Sequence, residues 1–205
     1  MADTKSNNPV PNFYRASAED FKKIPGSPIA YWVSDSIIAI FQKNRVLSGF
    51  ASIKHGMTTG NNDKFLRFWF EVPFKKIKFD CISCEECFES NCIWFPYNKG
   101  GIFRKWYGNN DYVINWLNDG EEVKNYAGQL YKSYTRTIKN IPYYFKESIT
   151  WSFVNLVFGV RYSDFGFIFD VGGSSIFPSE DNVYYLTAFL CTKITNELLK
   201  IMNPS

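Results

Sequence analysis

The segment IWFPYNKGGIFRKWYGNNDYVINW, residues 93–116, decides the fold because two short apolar stretches flank a polar centre that contains glycine. Ile93–Tyr97 and Tyr112–Trp116 have the length of strands and are rich in aromatic and β-branched residues, which favour extended backbone. The centre contains paired glycines and paired asparagines, which are typical of a loop. The segment therefore predicts two strands with an exposed connection between them.

Other parts of the chain add strands on both sides of this segment and helices nearer the two ends. Ser27-Pro28 has the pattern of a helix start with Ser27 as N-cap, and apolar residues at helical spacing extend that helix to about Lys43. We expect an α+β fold in which a mixed or antiparallel central sheet is flanked by helices. The remaining predicted strands are Phe50–Lys54, Phe65–Val72, Ile149–Phe153, Val157–Tyr162 and Phe167–Val171, and the remaining predicted helices are Gly120–Lys139 and Val183–Met202.

The composition indicates one folded domain. The chain has 205 residues, 45% of them hydrophobic, and a formal net charge of +3, so it can bury a core without disulfides or metal. Residues 1–25 predict a flexible lead-in, and residues 26–205 predict a single domain. No apolar run is long enough to span a membrane, and the N-terminus lacks the apolar stretch of a secretion signal. We therefore expect a cytoplasmic protein with no membrane partner.

Several classes of enzyme are excluded by what the sequence lacks. His55 is the one histidine, which removes most catalytic triads and histidine-rich metal sites. The chain contains no G-x-G-x-x-G, H-E-x-x-H or G-x-S-x-G pattern and no Asn-Pro-Pro-Tyr or Asp-Pro-Pro-Tyr tetrapeptide. We therefore expect no catalytic residue and no nucleotide or S-adenosylmethionine pocket in this chain.

The polar connection in the opening segment is the first candidate for nucleic-acid binding. Between Tyr97 and Asn110 the sequence carries three cations and no acid, interleaved with glycines and aromatic rings. Cations of this kind neutralise phosphates, and neighbouring rings stack on bases or brace the cations. A basic solvated loop whose rings enter the core is the alternative. The candidate DNA-binding residues are Lys99, Arg104, Lys105, Trp106 and Tyr107.

Two further segments combine glycine with small polar side chains. In GMTTGNNDKF, residues 56–65, hydroxyl and amide groups can bond base edges or phosphates, although an ordinary hairpin loop has the same composition. In GFIFDVGGSSIF, residues 166–177, a strand ends in a small-residue turn, which serves either as a phosphate contact or only as a strand exit. The candidate DNA-binding residues of the first segment are Thr58, Thr59, Asn61 and Asn62.

Four of the five cysteines lie close together in the pattern C-x2-C-x2-C-x4-C. Thiolates bind zinc or iron–sulfur clusters, so this spacing raises the hypothesis of a zinc site. The alternative is a reduced, thiol-bearing loop, because zinc sites usually pair two knuckles across a longer spacer. The fifth cysteine, Cys191, is expected in the core. The candidate metal ligands are Cys81, Cys84, Cys87 and Cys92.

Several long motifs resemble the C-terminal half of the adenine-specific DNA methyltransferases of BREX phage-defence systems (PglX type). The resemblance covers about residues 15–205 and extends to the specificity regions of type IIG restriction–modification enzymes. It is carried by KIPGSPIAYWVS (23–34), GMTTGNNDKFLR (56–67), WFPYNKGG (94–101) and FRKWYGN (103–109), and it continues through Thr150-Trp151-Ser152, GFIFDV (166–171) and the end of the last helix.

The resemblance implies a target-recognition domain of an N6-adenine methyltransferase. In that family the S-adenosylmethionine fold and the Asn-Pro-Pro-Tyr motif lie in the N-terminal part, and neither occurs here. The implied chain is a fragment that positions duplex DNA while a separate catalytic domain flips out and methylates the adenine. Its implied partners are double-stranded DNA, the catalytic domain and other defence-system proteins. A protein–protein interaction module and a small zinc-binding protein remain the alternatives.

Overall fold

The computed structural model describes residues 16–154, 157–179 and 182–203, and it confirms the α+β class. The chain divides into two compact units, Leu47–Asn196 and the described part of Met1–Val46 with Glu197–Ser205. The described residues form seven helices and two four-stranded sheets rather than one central sheet. The helices are α1 Ala18–Phe21, α2 Asp35–Lys43, α3 Asn62–Phe65, α4 Cys84–Glu89, α5 Leu117–Tyr131, α6 Val183–Leu190 and α7 Lys193–Met202; the strands are β1 Ala51–Lys54, β2 Leu66–Phe68, β3 Trp94–Asn98, β4 Tyr112–Asn115, β5 Ser148–Trp151, β6 Val160–Ser163, β7 Ile168–Phe169 and β8 Ser175–Pro178.

The first sheet is antiparallel and has the strand order β1-β8-β5-β6. Ile149, Val160 and Ile176 project from its strands into one buried cluster, and Leu186 and Leu190 of α6 pack into the same cluster. Full burial of each such side chain adds about 1.5–3 kcal/mol to the free energy of unfolding. Packing against α6 therefore holds this sheet in place. Cys191 belongs to this cluster as well, in agreement with the prediction that it lies in the core.

The second sheet is mixed and has the strand order β2-β4-β3-β7. The strands predicted at both ends of the opening segment are confirmed as β3 and β4, which pair antiparallel, while the short β7 adds to β3 in parallel. Phe95 and Ile114 of this sheet are fully buried and share a core cluster with Val123 of α5 and Cys87 of α4. This core supports both ends of the connection between β3 and β4.

The smaller unit has its own core of Ile24, Ala30, Ile38 and Ile201. The helix that we predicted from Ser27 starts at Asp35 instead, because Ser27 has a φ of 49° and cannot begin a right-handed helix. Residues 1–15 of the predicted lead-in lie outside the described residues.

Other element boundaries differ from the sequence prediction for local reasons. The predicted strand Phe65–Val72 is reduced to β2, because the backbone turns after Phe68, whose N–H is accepted by the Glu71 carboxylate. Helix α5 ends at Tyr131, before Lys132, whose φ is 66°. The predicted C-terminal helix is split between α6 and α7, where the Thr192 hydroxyl accepts the N–H of Thr195. None of the described helices is long and apolar enough to cross a membrane.

Candidate nucleic-acid interface

Three of the sequence motifs converge on one another through backbone hydrogen bonds. The N–H of Met57 donates to the Phe169 carbonyl at 2.9 Å, and the N–H of Val171 donates back to the Met57 carbonyl at 3.1 Å. The N–H of Asp170 donates to the Asn98 carbonyl at 2.9 Å. The segments around residues 57, 98 and 170 therefore form a junction, and the two candidate DNA-binding segments both begin at it.

Glycines allow the backbones of the three segments to approach one another closely at this junction. A methyl group at Gly56 would overlap the carbonyl of Phe169, and one at Gly173 would overlap the carbonyl of Asn98. The glycines of the third motif therefore serve close packing at a strand exit.

A hydrogen-bonded pair of the buried Tyr97 and the half-buried Asp170 lies inside the junction. The Tyr97 hydroxyl donates to Asp170 Oδ2 at 2.8 Å, and the N–H of Gly172 donates to Oδ1 at 2.6 Å. Burial raises the pKa of Asp170, although the hydrogen bonds from Gly172 and Tyr97 and the nearby Lys99 charge oppose this. Burial also raises the pKa of Tyr97 far above its usual value, so the phenol keeps its proton and acts as the donor.

The raised pKa of Asp170 predicts a pH dependence of stability. The folded chain holds this proton more tightly than the unfolded chain, so the Asp170 contribution to the free energy of unfolding falls as the pH rises from 3.8 through the raised pKa. Urea denaturation of the parent chain and of Asp170→Asn across this range should give a difference that changes with pH in that direction. A difference of constant size would contradict the assignment.

The Thr-Thr-Gly-Asn-Asn segment is only partly available to a ligand. Thr58 and Asn62 are exposed, whereas Thr59 is 1% exposed and its hydroxyl donates to Asn62 Oδ1 at 2.7 Å. The Asn61 side chain caps α3 by accepting the N–H of Lys64 at 3.0 Å. Thr59 and Asn61 thus shape the segment, and Thr58 and Asn62 are the predicted DNA contacts that lie at its surface.

Residues 99–110, which form nearly all of the connection between β3 and β4, are here called the basic loop. Its middle is fixed to the edge of β6, because the N–H of Trp106 donates to the Val160 carbonyl at 2.9 Å and the Trp106 carbonyl accepts the N–H of Tyr162 at 2.8 Å. Trp106 has a φ of 74°, which is uncommon for a bulky residue. The indole is 56% exposed and the Tyr107 ring is 65% exposed, so the loop presents both rings outward.

The three cations of the basic loop have different surroundings. Lys99 Nζ lies 4.6 Å from the centroid of the Tyr112 ring, a cation–π distance. Arg104 is exposed, and within the described ranges its side chain has neither an ion pair nor a hydrogen bond. Lys105 Nζ donates to the Cys191 carbonyl at the end of α6, at 2.6 Å. Lys99 and Arg104 are therefore better placed than Lys105 to contact a phosphate.

The contact of Lys105 predicts a structural effect of its removal. Its ammonium satisfies a carbonyl at a helix C-terminus, where a positive charge also complements the helix dipole. We expect Lys105→Met to lower the free energy of unfolding by about 1 kcal/mol in urea denaturation. Lys193→Met removes a lysine that is close in sequence to Cys191 and makes no hydrogen bond to a carbonyl among the described residues. It is the matched control and should leave the stability nearly unchanged.

The cysteine segment folds partly into the core. Cys81 and Cys87 are buried, and Cys84 and Cys92 are half-buried. The Cys81 thiol donates to the Ser83 carbonyl, and burial raises its pKa to about 11. Burial also raises the pKa of Cys84 and Cys87, so these thiols keep their protons. Among the described residues, no group of three or more Cys, His, Asp or Glu side chains is arranged to hold a metal ion. Zinc binding at this segment stays a hypothesis, which elemental analysis can test.

Sequence reasoning missed two features next to the basic loop. The first is Arg161 of β6, which is buried. The sequence pattern predicted a strand that includes this residue, but its burial depends on the neighbouring strand and loop. The second, here called the aromatic groove, has a volume of about 450 Å³. High aromatic content was the one signal for such a surface. The rings that line it are Trp69, Phe74, Phe79, Tyr107, Tyr112, Phe165 and Phe167.

Comparison with known proteins identifies the relatives of this chain. It is 41% identical over 206 residues to the adenine-specific methyltransferase PglX of Lacticaseibacillus casei (strain Zhang), and the match covers 98% of this chain. The chain is homologous to a segment of this methyltransferase. It is also 38% identical over 197 residues, 94% of the chain, to the adenine-specific methyltransferase BrxX of Escherichia coli O9:H4 (strain HS). No protein-family model matches the sequence.

The relationship to PglX and BrxX covers a small part of each relative. The chain spans 17% of the length of PglX and 15% of the length of BrxX. Because the match to PglX covers 98% of this chain, both compact units belong to the homologous segment. The resemblance seen in the motifs is therefore confirmed as homology.

Proposed function

We propose that this chain is the DNA target-recognition segment of an adenine-specific methyltransferase of a BREX defence system. The basic loop holds the duplex by its phosphates, and Thr58 and Asn62 face the DNA near the base edges. Methyl transfer from S-adenosylmethionine is assigned to a separate catalytic segment, which flips the adenine out of the duplex. The proposed partners are double-stranded DNA, that catalytic segment and other proteins of the defence system.

The observation that carries this proposal is the combination of cations and exposed rings in one anchored loop. Arg104 is exposed and forms no ion pair among the described residues. Lys99 lies over the Tyr112 ring and near the half-buried Asp170, but it forms no ion pair in the described part of the chain. Trp106 and Tyr107 lie beside them with their rings at the surface. Phosphates supply the negative charge that such a surface lacks, and exposed rings add contacts to sugars or bases.

The homology supports the same proposal independently of the geometry. Both relatives are named adenine-specific methyltransferases. An enzyme that methylates adenines of one particular DNA sequence must also read the base edges around them. A segment that contains no methyltransferase motif but carries a cationic loop is suited to that reading.

The proposal predicts that Arg104→Ala weakens duplex binding about tenfold at low salt, because one charge-assisted phosphate contact is lost. Fluorescence anisotropy with a labelled duplex measures the change. Arg45→Ala, which removes an exposed arginine of the smaller unit, is the matched control and should bind like the parent chain. Equal affinities of the parent chain and Arg104→Ala would contradict the proposed role of the loop.

Protein binding through the aromatic groove is the second candidate function. Phe74 and Tyr107 are each more than half exposed in this groove, an arrangement typical of interface anchors. A chain that binds no duplex at low salt, but whose capture of a defence-system protein is lost on Phe74→Ala, would favour this function over DNA recognition.

A further inference from the structure

Arg161 is a buried cation whose hydrogen-bonding capacity is poorly used. It lies in β6 opposite Thr150 of β5 and is 1% exposed. Its Nη1 donates to the neutral Ser152 hydroxyl at 3.2 Å, and Nε has no partner among the residues that the structure describes. A guanidinium carries five N–H donors, and a buried one normally satisfies them with carboxylates or carbonyls. The residue therefore needs an explanation beyond packing.

No counter-charge compensates for this burial in the described part of the chain. Among residues 16–154, 157–179 and 182–203, no aspartate or glutamate forms an ion pair with Arg161. Removing a charge from water without a partner is costly, and a methionine or leucine would fill the same space at lower cost. An unpaired buried charge of this kind is expected where a ligand supplies the opposite charge.

The basic loop brings a second arginine to the same place. The backbone of Trp106 bridges to β6 at Arg161, and the Arg104 carbonyl lies against Gly159 at the start of this strand. Burial and the Arg104 charge both lower the pKa of Arg161. The loop segment that carries Arg104 therefore lies against the strand that carries Arg161, and the two positive charges repel each other. No acid among the described residues forms an ion pair with either arginine, so an anion bound there would relieve the repulsion.

We propose that Arg104, supported by the buried charge of Arg161, forms a binding site for the oxyanion of a phosphate group. Arg104 is the exposed donor, and Arg161 is a positioning residue whose buried charge, poorly screened by water, strengthens the attraction at Arg104. The inference rests on the proposed function in one respect: the phosphate is assigned to the DNA backbone. Free inorganic phosphate has the same chemistry, so the experiment has an arm for each source.

The first arm measures thermal unfolding of the whole chain in sodium phosphate and in sodium chloride of equal ionic strength. We expect phosphate to raise the melting temperature of the parent chain by about 2–4 °C. Arg161→Met should melt at a higher temperature than the parent chain in chloride, because the unpaired charge is gone, and should gain nothing from phosphate. Arg136→Met, which removes an exposed arginine elsewhere in the larger unit, should keep the full phosphate effect.

The result that overturns the anion site is an Arg161→Met variant that keeps the phosphate-dependent shift. A variant that melts at a lower temperature in chloride also overturns it, because Arg161 would then serve the fold alone. A structural role cannot produce a more stable protein that has lost its response to phosphate.

The second arm measures duplex affinity of the parent chain and Arg161→Met by anisotropy. A loss of about tenfold supports the assignment to the DNA backbone. An unchanged duplex affinity together with a lost phosphate response overturns that assignment and leaves a site for free phosphate. Failure of the parent chain itself to bind duplex would count against the proposed function, while the first arm would still decide the anion site.

Discussion

Gly56→Ala is expected to lose a large part of the stability of the larger unit. Gly56 does not have a positive φ, so alanine can adopt its backbone conformation, and the obstacle is space alone. The added methyl group would overlap the Phe169 carbonyl, the group that accepts the N–H of Met57. Relief of the overlap requires the backbones of residues 56–57 and 169–171 to separate, which breaks the hydrogen bonds that form the junction.

The expected cost is about 3 kcal/mol or more, a large part of the 5–15 kcal/mol that stabilises an ordinary domain. Urea denaturation followed by circular dichroism measures it. Gly128→Ala is the matched control, because Gly128 lies in α5 with no atom near the position of an added methyl group, and alanine favours a helix. A Gly56→Ala variant as stable as the parent chain would contradict the close packing of the junction.

The second large effect is expected from the double variant Lys99→Ala/Arg104→Ala. These two cations flank the glycine pair and the exposed side chains of the basic loop, and neither has an ion pair among the described residues. Loss of two phosphate contacts, each worth about a factor of ten, should lower duplex affinity about 100-fold at low salt.

Lys43→Ala/Arg45→Ala is the control for this double variant. It removes the same net charge from exposed positions in the smaller unit, so it reports the general effect of charge on binding. An equal loss of affinity in both double variants would show that the duplex responds to net charge rather than to the basic loop.

The strands of the opening segment were predictable because their short-range pattern matches their environment. Trp94–Asn98 and Tyr112–Asn115 are dense in aromatic and β-branched residues and are buried in the sheet, so local preference and tertiary packing agree. Strand β8 was missed because Gly173, Ser174 and Ser175 suggest a turn. Ser174 and Ser175 are in fact fully buried, with their hydroxyls donating to nearby carbonyls. Small polar residues of this kind enter a strand when a neighbouring backbone passes close by.

The candidate site was predicted in part for similar physical reasons. The polar, glycine-containing sequence of the basic loop is consistent with the exposed rings of Trp106 and Tyr107. The contact of Lys105 could not be predicted locally, because its partner, the Cys191 carbonyl, lies 86 positions away in sequence. Thr59 is buried because its hydroxyl closes a local turn with Asn62, which composition alone does not distinguish from an exposed donor. The burial of Arg161 in β6 depends on its pairing with β5 and on the basic loop, which are distant in sequence, so no local pattern reports it.

The dependence of duplex affinity on salt concentration tests most directly whether this chain binds DNA by its phosphates through the basic loop. The logarithm of the association constant should fall linearly with the logarithm of the salt concentration, with a slope of about −0.9 per phosphate neutralised. The slope of Lys99→Ala/Arg104→Ala should be shallower than that of the parent chain by about 2. A parent slope near zero, or the same slope in both proteins, would contradict the account.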